Sequence, residues 1–142
     1  MLYKKEILEI INKIVYKDTQ TIDFLERRIC LETDDDLLLN SRDICIRVSI
    51  IGRTFCIEEI KLSNKIKGQK VCFNLIGEFI NFAKISSYFK AIKCCCIISP
   101  KVSSICDYYN MEEIDEPIYG VYDDYYDYEG TFGSRILYFN KV

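Results

Sequence analysis

A group of lysines offers the clearest possibility of chemistry in this chain. Lys65, Lys67 and Lys70 lie in the turn 64–70 (NKIKGQK), directly before an amphipathic, apolar stretch. Residues 53–101 carry nine Lys and Arg against three Glu, whereas residues 107–133 carry nine Asp and Glu and no Lys or Arg. We therefore expect the first region to attract an anion and the second to repel one. The alternative is that the lysines form an ordinary solvated entry to a helix.

Several other chemistries are excluded by residue type. The chain has no histidine, so Ser-His-Asp and Cys-His catalysis cannot occur. It also lacks the Walker and dinucleotide glycine motifs, and its net charge of −3 does not support a general nucleic-acid binder. A zinc site would need an unusual set of cysteines or carboxylates, because no C-x-x-C is present. We expect no metal site.

The eight cysteines do not form a disulfide pattern. Cys94, Cys95 and Cys96 are adjacent in one predicted strand, where side chains alternate between faces and neighbours cannot easily pair. The others stand singly in apolar patterns. We interpret the cysteines as small buried hydrophobes in a reducing compartment.

The lysine turn leads into a predicted strand-helix-strand unit. Residues 71–84 form a helix because apolar side chains recur at three- and four-residue spacing, namely Cys72, Leu75, Ile76, Phe79, Ile80 and Ala83. Residues 91–98 are an apolar run typical of a buried parallel strand. Pro100 suits the first turn of a further helix, 101–110. The unit predicts a right-handed crossover and an α/β fold.

The rest of the chain adds helices 3–16 and 22–29, the second capped by Thr21. Residues 33–36 read as an acidic, solvated loop, and strands 44–50 and 53–62 form a hairpin around Gly52. Residues 112–133 read as an acidic, tyrosine-rich segment that forms a long loop or an irregular strand, before a last strand, 135–141. We expect a single domain over residues 1–142.

The ends and composition bear on location and source. The apolar runs are too short to cross a membrane, and the charged N-terminus is unlike a signal peptide, so we expect a cytoplasmic protein. Few alanines and many Ile, Lys, Asn, Asp and Tyr are typical of an AT-rich coding genome, such as that of a phage or virus.

Residues 67–110 resemble a known family. The segments KGQKVCFNLIGEFINFAK, KAIKCCCIISP and VSSICDYYN are similar to the core of the GCN5-related N-acetyltransferases (GNAT). Leu75 and Ile76 fill the paired aliphatic positions of the family's helix, and Ala83 and Lys84 follow in register. The resemblance covers roughly residues 44–142 and implies a mixed central sheet flanked by helices.

The resemblance also implies a cofactor. In the family, backbone N–H groups of a glycine-rich turn and a helix N-terminus bind the pyrophosphate of acetyl-coenzyme A. The family pattern is Arg/Gln-x-x-Gly-x-Gly/Ala, and its key positions here hold Lys67, Lys70 and Cys72, so the basic residue is kept and both glycines are replaced. The implied binding residues are Lys65, Lys67, Gly68, Gln69, Lys70, Val71 and Cys72.

For the chemistry, the resemblance implies Tyr108 as the acid that protonates the leaving thiolate, with Tyr109 as its substitute. A backbone N–H on the strand 55–62 would polarise the thioester carbonyl. Glu58 or Glu59 is the available base, directly or through water. Because adjacent strand residues face opposite sides, we expect at most one of the two in the cleft.

Two functions follow from these patterns. The first is a small N-acetyltransferase that uses acetyl-coenzyme A, with the acidic segment favouring a cationic amine acceptor. The second is a catalytically inactive GNAT-like protein, of phage or viral type, that binds another protein through the segment between Tyr119 and Tyr128. A homodimer joined through the C-terminal strand is compatible with either.

Overall fold

Apolar spacing along the chain builds a mixed sheet with helices packed on it. A computed structural model describes residues 1–66, 70–95, 97, 99–114 and 133–140. None of the helices in these ranges is long and apolar enough to cross a bilayer. The described elements are α1 (Lys4–Val15), α2 (Ile22–Glu26), β1 (Ile29–Glu32), β2 (Asp36–Asn40), β3 (Ile44–Ile51), β4 (Thr54–Leu62), α3 (Val71–Ile85), β5 (Ala91–Cys94), α4 (Pro100–Tyr108), β6 (Glu112–Ile114) and β7 (Ser134–Tyr138).

The two N-terminal helices form where the sequence predicts them. The Thr21 side chain accepts a hydrogen bond from the Phe24 N–H at 3.0 Å, as expected for an N-cap. α2 ends at Glu26 rather than at residue 29, because Ile29 begins β1. The face of α1 that meets the core carries the fully buried side chains Ile7, Leu8 and Ile11.

The predicted acidic loop 33–36 is reduced to a turn at residues 33–35, because β1 ends directly before it and β2 begins at Asp36. β1 and β2 pair antiparallel around residues 33–35. Asp36 begins β2, and its carboxylate accepts hydrogen bonds from the Arg47 guanidinium at 2.6 and 3.3 Å. Leu37 and Leu39 are fully buried. Their period-two spacing is the signal for β2 that the sequence prediction missed.

The predicted hairpin is confirmed as β3 and β4, and it contains an irregularity. Gly52 takes a φ of 61° in the turn, where a residue without Cβ is favoured. Arg47 lies opposite Glu59, but the next residue, Val48, lies opposite Ile57. Residue 58 is therefore an extra residue in β4, which makes this position a β-bulge.

The central crossover is confirmed, with α3 linking the parallel strands β4 and β5. The Phe55 ring of β4 lies 5.4 Å from that of Phe79 and 5.5 Å from that of Phe89, so α3 and β4 pack through aromatic side chains. β5 ends at Cys94, earlier than the predicted 98. The buried face of α3 carries Val71, Leu75, Ile76, Phe79, Ile80 and Ala83, as the periodicity predicts.

The C-terminal strand lies inside the sheet. The strand order is β1-β2-β3-β4-β5-β7-β6, so β7 pairs with β5 on one side and with β6 on the other. β6 falls in the acidic segment that the sequence predicts to be a long loop or an irregular strand. Because both edges of Arg135 and Ile136 are paired, this part of β7 has no edge to offer a second copy. A homodimer through the C-terminal strand stays a prediction.

Arg135 of β7 connects α4 with the sheet through hydrogen bonds and ion pairs. Its side chain is 6% exposed. One terminal nitrogen donates to the Asp107 carboxylate at 2.6 Å and to the Met111 carbonyl at 3.1 Å. The other donates to the Ser103 hydroxyl at 3.1 Å and lies 3.4 Å from the Glu113 carboxylate. The bond to Asp107 raises the pKa of the guanidinium, which stays charged.

Candidate active site

β4 pairs with β5 over only part of its own length. Residues 54–57 pair with residues 91–94, and the Cys95 N–H donates to the Ile57 carbonyl at 2.9 Å. Beyond that point β4 continues to Leu62, where the described pairing is with β3 alone. The described pairing of β4 with β5 thus ends at Ile57, although β4 runs on for five more residues. We call the edge of β4 at residues 58–62, beyond this pairing, the β4–β5 opening.

The bulge places both candidate bases on one face of the sheet. The Ser49 hydroxyl donates to the Glu58 carboxylate at 2.6 Å. Glu59 lies opposite Arg47 and forms an ion pair with Lys61 at 2.7 Å. Arg47 and Ser49 are two residues apart on β3 and share a face. The extra residue shifts the alternation of side chains, so the two glutamates do not face opposite sides of the sheet. How many of them face the cleft stays a prediction.

The N-terminus of α3 has the properties of an anion site. Lys70 occupies the N-cap in the left-handed region, with a φ of 57°; its side chain makes no capping hydrogen bond, and the first turn has no acidic residue. The N–H groups from Val71 to Phe73 have no acceptor within the helix, and the helix dipole is positive here. Lys65 and Lys70 are exposed. Three predicted binding residues lie outside the described ranges: Lys67, Gly68 and Gln69.

Cys72 stands in the first turn of α3, where the resembled family has a small residue. Its side chain is half-buried. Burial raises the pKa of the thiol to about 11; the Cys106 thiol adds to the rise, and Lys101 opposes it. The helix N-terminus ordinarily favours a thiolate, so burial is the stronger effect here. Cys72 therefore adds no negative charge to the turn near neutral pH.

We expect Cys72 to react slowly with alkylating reagents. At pH 8 a thiol with a pKa of about 11 has roughly 200-fold less thiolate than an ordinary cysteine, and its greater nucleophilicity recovers roughly tenfold of this. Iodoacetamide labelling followed by peptide mass spectrometry should show Cys72 modified roughly 20-fold more slowly than a free cysteine derivative. Exposed Cys30 is the internal control. Labelling of Cys72 as fast as Cys30 would contradict the burial argument.

The two tyrosines at the end of α4 have different surroundings. Tyr108 is 68% exposed, and its ring lies 4.9 Å from that of Phe73 in the first turn of α3. The Tyr109 hydroxyl donates to the Phe73 carbonyl at 3.1 Å and lies against Gly77, where a Cβ would overlap its oxygen. Partial burial, Tyr108 and Glu78 raise the pKa of Tyr109. Tyr109 is thus a protonated donor to α3, which leaves Tyr108 as the candidate acid.

The thiols of Cys94 and Cys95 lie on opposite faces of the sheet. Cys94 faces the core and its thiol pairs with that of Cys106, whereas the Cys95 thiol pairs with that of Cys56 on the other face. The Cys56–Cys95 hydrogen bond lowers the pKa of Cys56 and raises that of Cys95. All cysteines in the described ranges are free thiols; Cys96 lies outside these ranges.

The predicted protein-binding surface lies in a part of the chain that the structure does not describe. The segment between Tyr119 and Tyr128 lies within residues 115–132, outside the described ranges. Of the acidic region, β6 is described, with Glu112 and Glu113 exposed. Protein binding through the tyrosines therefore stays a prediction.

Comparison with known proteins identifies the fold. No protein-family model matches the chain, and no curated protein matches it in sequence. A solved structure of a "probable acetyltransferase" aligns with a TM-score of 0.58 at 11% identity, over 94% of this chain and 88% of the other. A dodecameric spermidine N-acetyltransferase from Vibrio cholerae aligns with a TM-score of 0.54 at 9% identity, over 95% and 90%.

A third structure, a ribosomal L7/L12 alpha-N-protein acetyltransferase, aligns with a TM-score of 0.50 at 10% identity, over 95% of this chain and 89% of the other. At such identities the likeness shows the fold. The chain has the GNAT fold, as the resemblance of residues 67–110 implies.

Proposed function

We propose that this protein is an N-acetyltransferase that moves an acetyl group from acetyl-coenzyme A to an amine. The observation that carries the proposal is that β4 extends beyond its pairing with β5 and is followed in the chain by the N-terminus of α3, which has no side-chain cap and is flanked by exposed lysines. The edge of β4 beyond this pairing would accept an extended ligand, and the helix N-terminus offers N–H groups to phosphates. The names of the structural neighbours, all acetyltransferases, support the same chemistry.

The described residues fit the acyl carrier despite the lost glycines. Lys70 already takes the left-handed backbone conformation that glycine favours, and its ammonium adds positive charge. Cys72 is neutral and half-buried, so it does not repel phosphate. Bound acetyl-coenzyme A would supply the acetyl group as an activated thioester. The residues that would hold it are Lys65, Lys67, Gly68, Gln69, Lys70, Val71 and Cys72.

Glu58 is the better of the two candidate bases. Its carboxylate accepts a hydrogen bond from Ser49 at the bulge, directly after the last residue of β4 that pairs with β5, whereas Glu59 is engaged by Lys61. Glu58 would accept the proton that the amine loses, directly or through water. The exposed Tyr108 hydroxyl would return a proton to the departing sulfur. The thioester C–S bond and one amine N–H bond would thus break, and the amide C–N bond and a thiol S–H bond would form.

The acceptor is a cationic amine. Glu58 and Glu59 share the face of the sheet beside the opening, and Glu112 and Glu113 add exposed carboxylates on β6. Carboxylates near a binding site attract cationic ligands. A polyamine, an aminoglycoside or a lysine side chain meets this requirement. One structural neighbour is named for spermidine, a polyamine.

Reversing the charge at Lys70 should weaken acetyl-coenzyme A binding. The Lys70→Glu variant places a carboxylate at the N-terminus of α3, where it repels phosphate and offsets the helix dipole. We expect the dissociation constant, measured by isothermal titration calorimetry, to rise at least about tenfold. The matched control is Lys84→Glu, which makes the same change of charge in the last turn of the same helix and should bind like the unmodified protein.

A direct assay completes the test. The protein is incubated with acetyl-coenzyme A and a panel of amines, and acetylated products are detected by mass spectrometry. Acetylation of a cationic amine is the expected result. The proposal fails if millimolar acetyl-coenzyme A neither raises the melting temperature nor yields product. Equal binding by Lys70→Glu and Lys84→Glu would remove the α3 N-terminus from the binding site.

A further inference from the structure

Three ligand-type atoms meet on the face of the sheet opposite the main core. The sulfurs of Cys56 and Cys95 and a carboxylate oxygen of Glu58 all lie within 4.8 Å of one another. Cys56 is buried, whereas Glu58 and Cys95 are half-buried, so the cluster can be reached from the surface. The spacing of the cysteines along the chain predicts no metal site.

The sheet topology explains why the cluster cannot be predicted from the sequence. Cys56 and Glu58 flank Ile57 on β4, and Cys95 is joined to that residue by its N–H bond to the Ile57 carbonyl. Cys94 and Cys95 face opposite sides, so Cys95 alone of the two turns toward Cys56. The cluster depends on strand register rather than on a motif.

The donor set and its dimensions suit a tetrahedral cation. Thiolate and carboxylate ligands bound to Zn²⁺ at ordinary bond lengths lie about 3.5–3.8 Å from one another, a spacing within the observed limit. The Ser49 hydroxyl, 2.6 Å from Glu58, orients the carboxylate as an outer-shell partner. Two thiolates and one carboxylate carry three negative charges. Zn²⁺ together with the nearby Lys93 ammonium would balance them.

A disulfide is a poorer explanation of the same cysteines. Cys56 lies directly opposite Lys93, and Cys95 is two residues further along. Strand spacing then puts the Cα atoms of the two cysteines roughly 8 Å apart, beyond the usual limit of about 7 Å for a disulfide. An ion between the sulfurs spans this distance without movement of the backbone.

We propose that Cys56, Glu58 and Cys95 form a site for a borderline divalent cation of the Zn²⁺ type, with a fourth position open to water. The site does not depend on acetyl transfer, although it shares Glu58 with the proposed base. Soft thiolates disfavour Mg²⁺ and Ca²⁺, so Zn²⁺ and its substitute Co²⁺ are the appropriate probes.

The test is a metal titration of the full chain, reduced and stripped with a chelator. Co²⁺ should bind with a stoichiometry of one and produce thiolate-to-cobalt charge-transfer absorption together with the visible bands of tetrahedral Co²⁺, and Zn²⁺ should remove both. Cys95→Ser and Glu58→Gln should each weaken binding at least about tenfold. Cys30→Ser, which changes an exposed thiol elsewhere, is the matched control and should bind like the unmodified chain.

Circular dichroism of each variant separates loss of the ligand from loss of the fold. The proposal is overturned if Co²⁺ gives no charge-transfer band with the unmodified chain. It is equally overturned if the folded Cys95→Ser and Glu58→Gln variants bind as tightly as Cys30→Ser. Because the readout is absorption rather than catalysis, this outcome is distinct from failure of the acetyltransferase assay.

Discussion

Replacing Arg135 with methionine should lower the free energy of unfolding by about 3 kcal/mol. The substitution keeps a long side chain but leaves the buried Met111 carbonyl and Ser103 hydroxyl without their donor. Asp107 and Glu113 are exposed and regain water, which keeps the cost at the lower end for a broken ion pair. In a chain of this size the melting temperature should fall by about 10 °C.

Urea unfolding followed by circular dichroism measures this effect. Arg27→Met is the matched control, because Arg27 is exposed in the described structure and its loss should change stability by less than about 0.5 kcal/mol. Arg135→Lys should fall between the two, since one ammonium cannot reproduce the forked contacts of a guanidinium. Equal stability of Arg135→Met and Arg27→Met would show that the contacts of Arg135 contribute nothing net.

Glu58→Gln should lower kcat for acetyl transfer by about 10²–10³-fold, the usual contribution of a general base. Glutamine keeps the shape of the side chain and can still accept the Ser49 hydrogen bond, so the strand should be undisturbed. Stopped-time assays with mass-spectrometric detection of the product measure the rate. A chelator is included so that metal binding at the same carboxylate does not contribute.

The adjacent residue provides a close control. Glu59→Gln makes the same chemical change one position along the same face, but the Glu59 carboxylate is engaged by Lys61. We expect its kcat to fall by less than about threefold, an effect typical of a residue outside the chemistry. If Glu59→Gln is the slower variant, the base is Glu59 and the assignment from the Ser49 contact is wrong.

The elements that the sequence predicts best are those with long, regular spacing. The pattern from Cys72 to Ala83 repeats over three turns and marks α3 to within one residue of its observed end. β1 and β2 are not predicted, because each is short and both adjoin the acidic residues 33–36, which are typical of loops. Such strands form because a neighbouring strand pairs with them, and that neighbour is distant or unmarked in the sequence.

The candidate site could be predicted only in part. The lysine turn and Tyr108 follow from residue types and from the family resemblance. Glu58 and Glu59 lie on the same face because of the bulge, and no residue type in this segment predicts a bulge. The meeting of Cys56 with Cys95 depends on the register of two parallel strands joined through α3. Register is set by packing of the whole sheet, so it cannot be read from local spacing.

The interior place of β7 governs the order in which the sheet can be completed during synthesis. β5 has a bare edge until residues 134–138 leave the ribosome, and β6, although made earlier, has no neighbour in the described sheet except β7. A nascent chain that stops before Ser134 would thus lack β7 and leave β6 without its partner strand. The edge of β5 around Ile92 would then be exposed and able to pair with other chains. Pairing of residues 135–138 with β5 completes this part of the sheet.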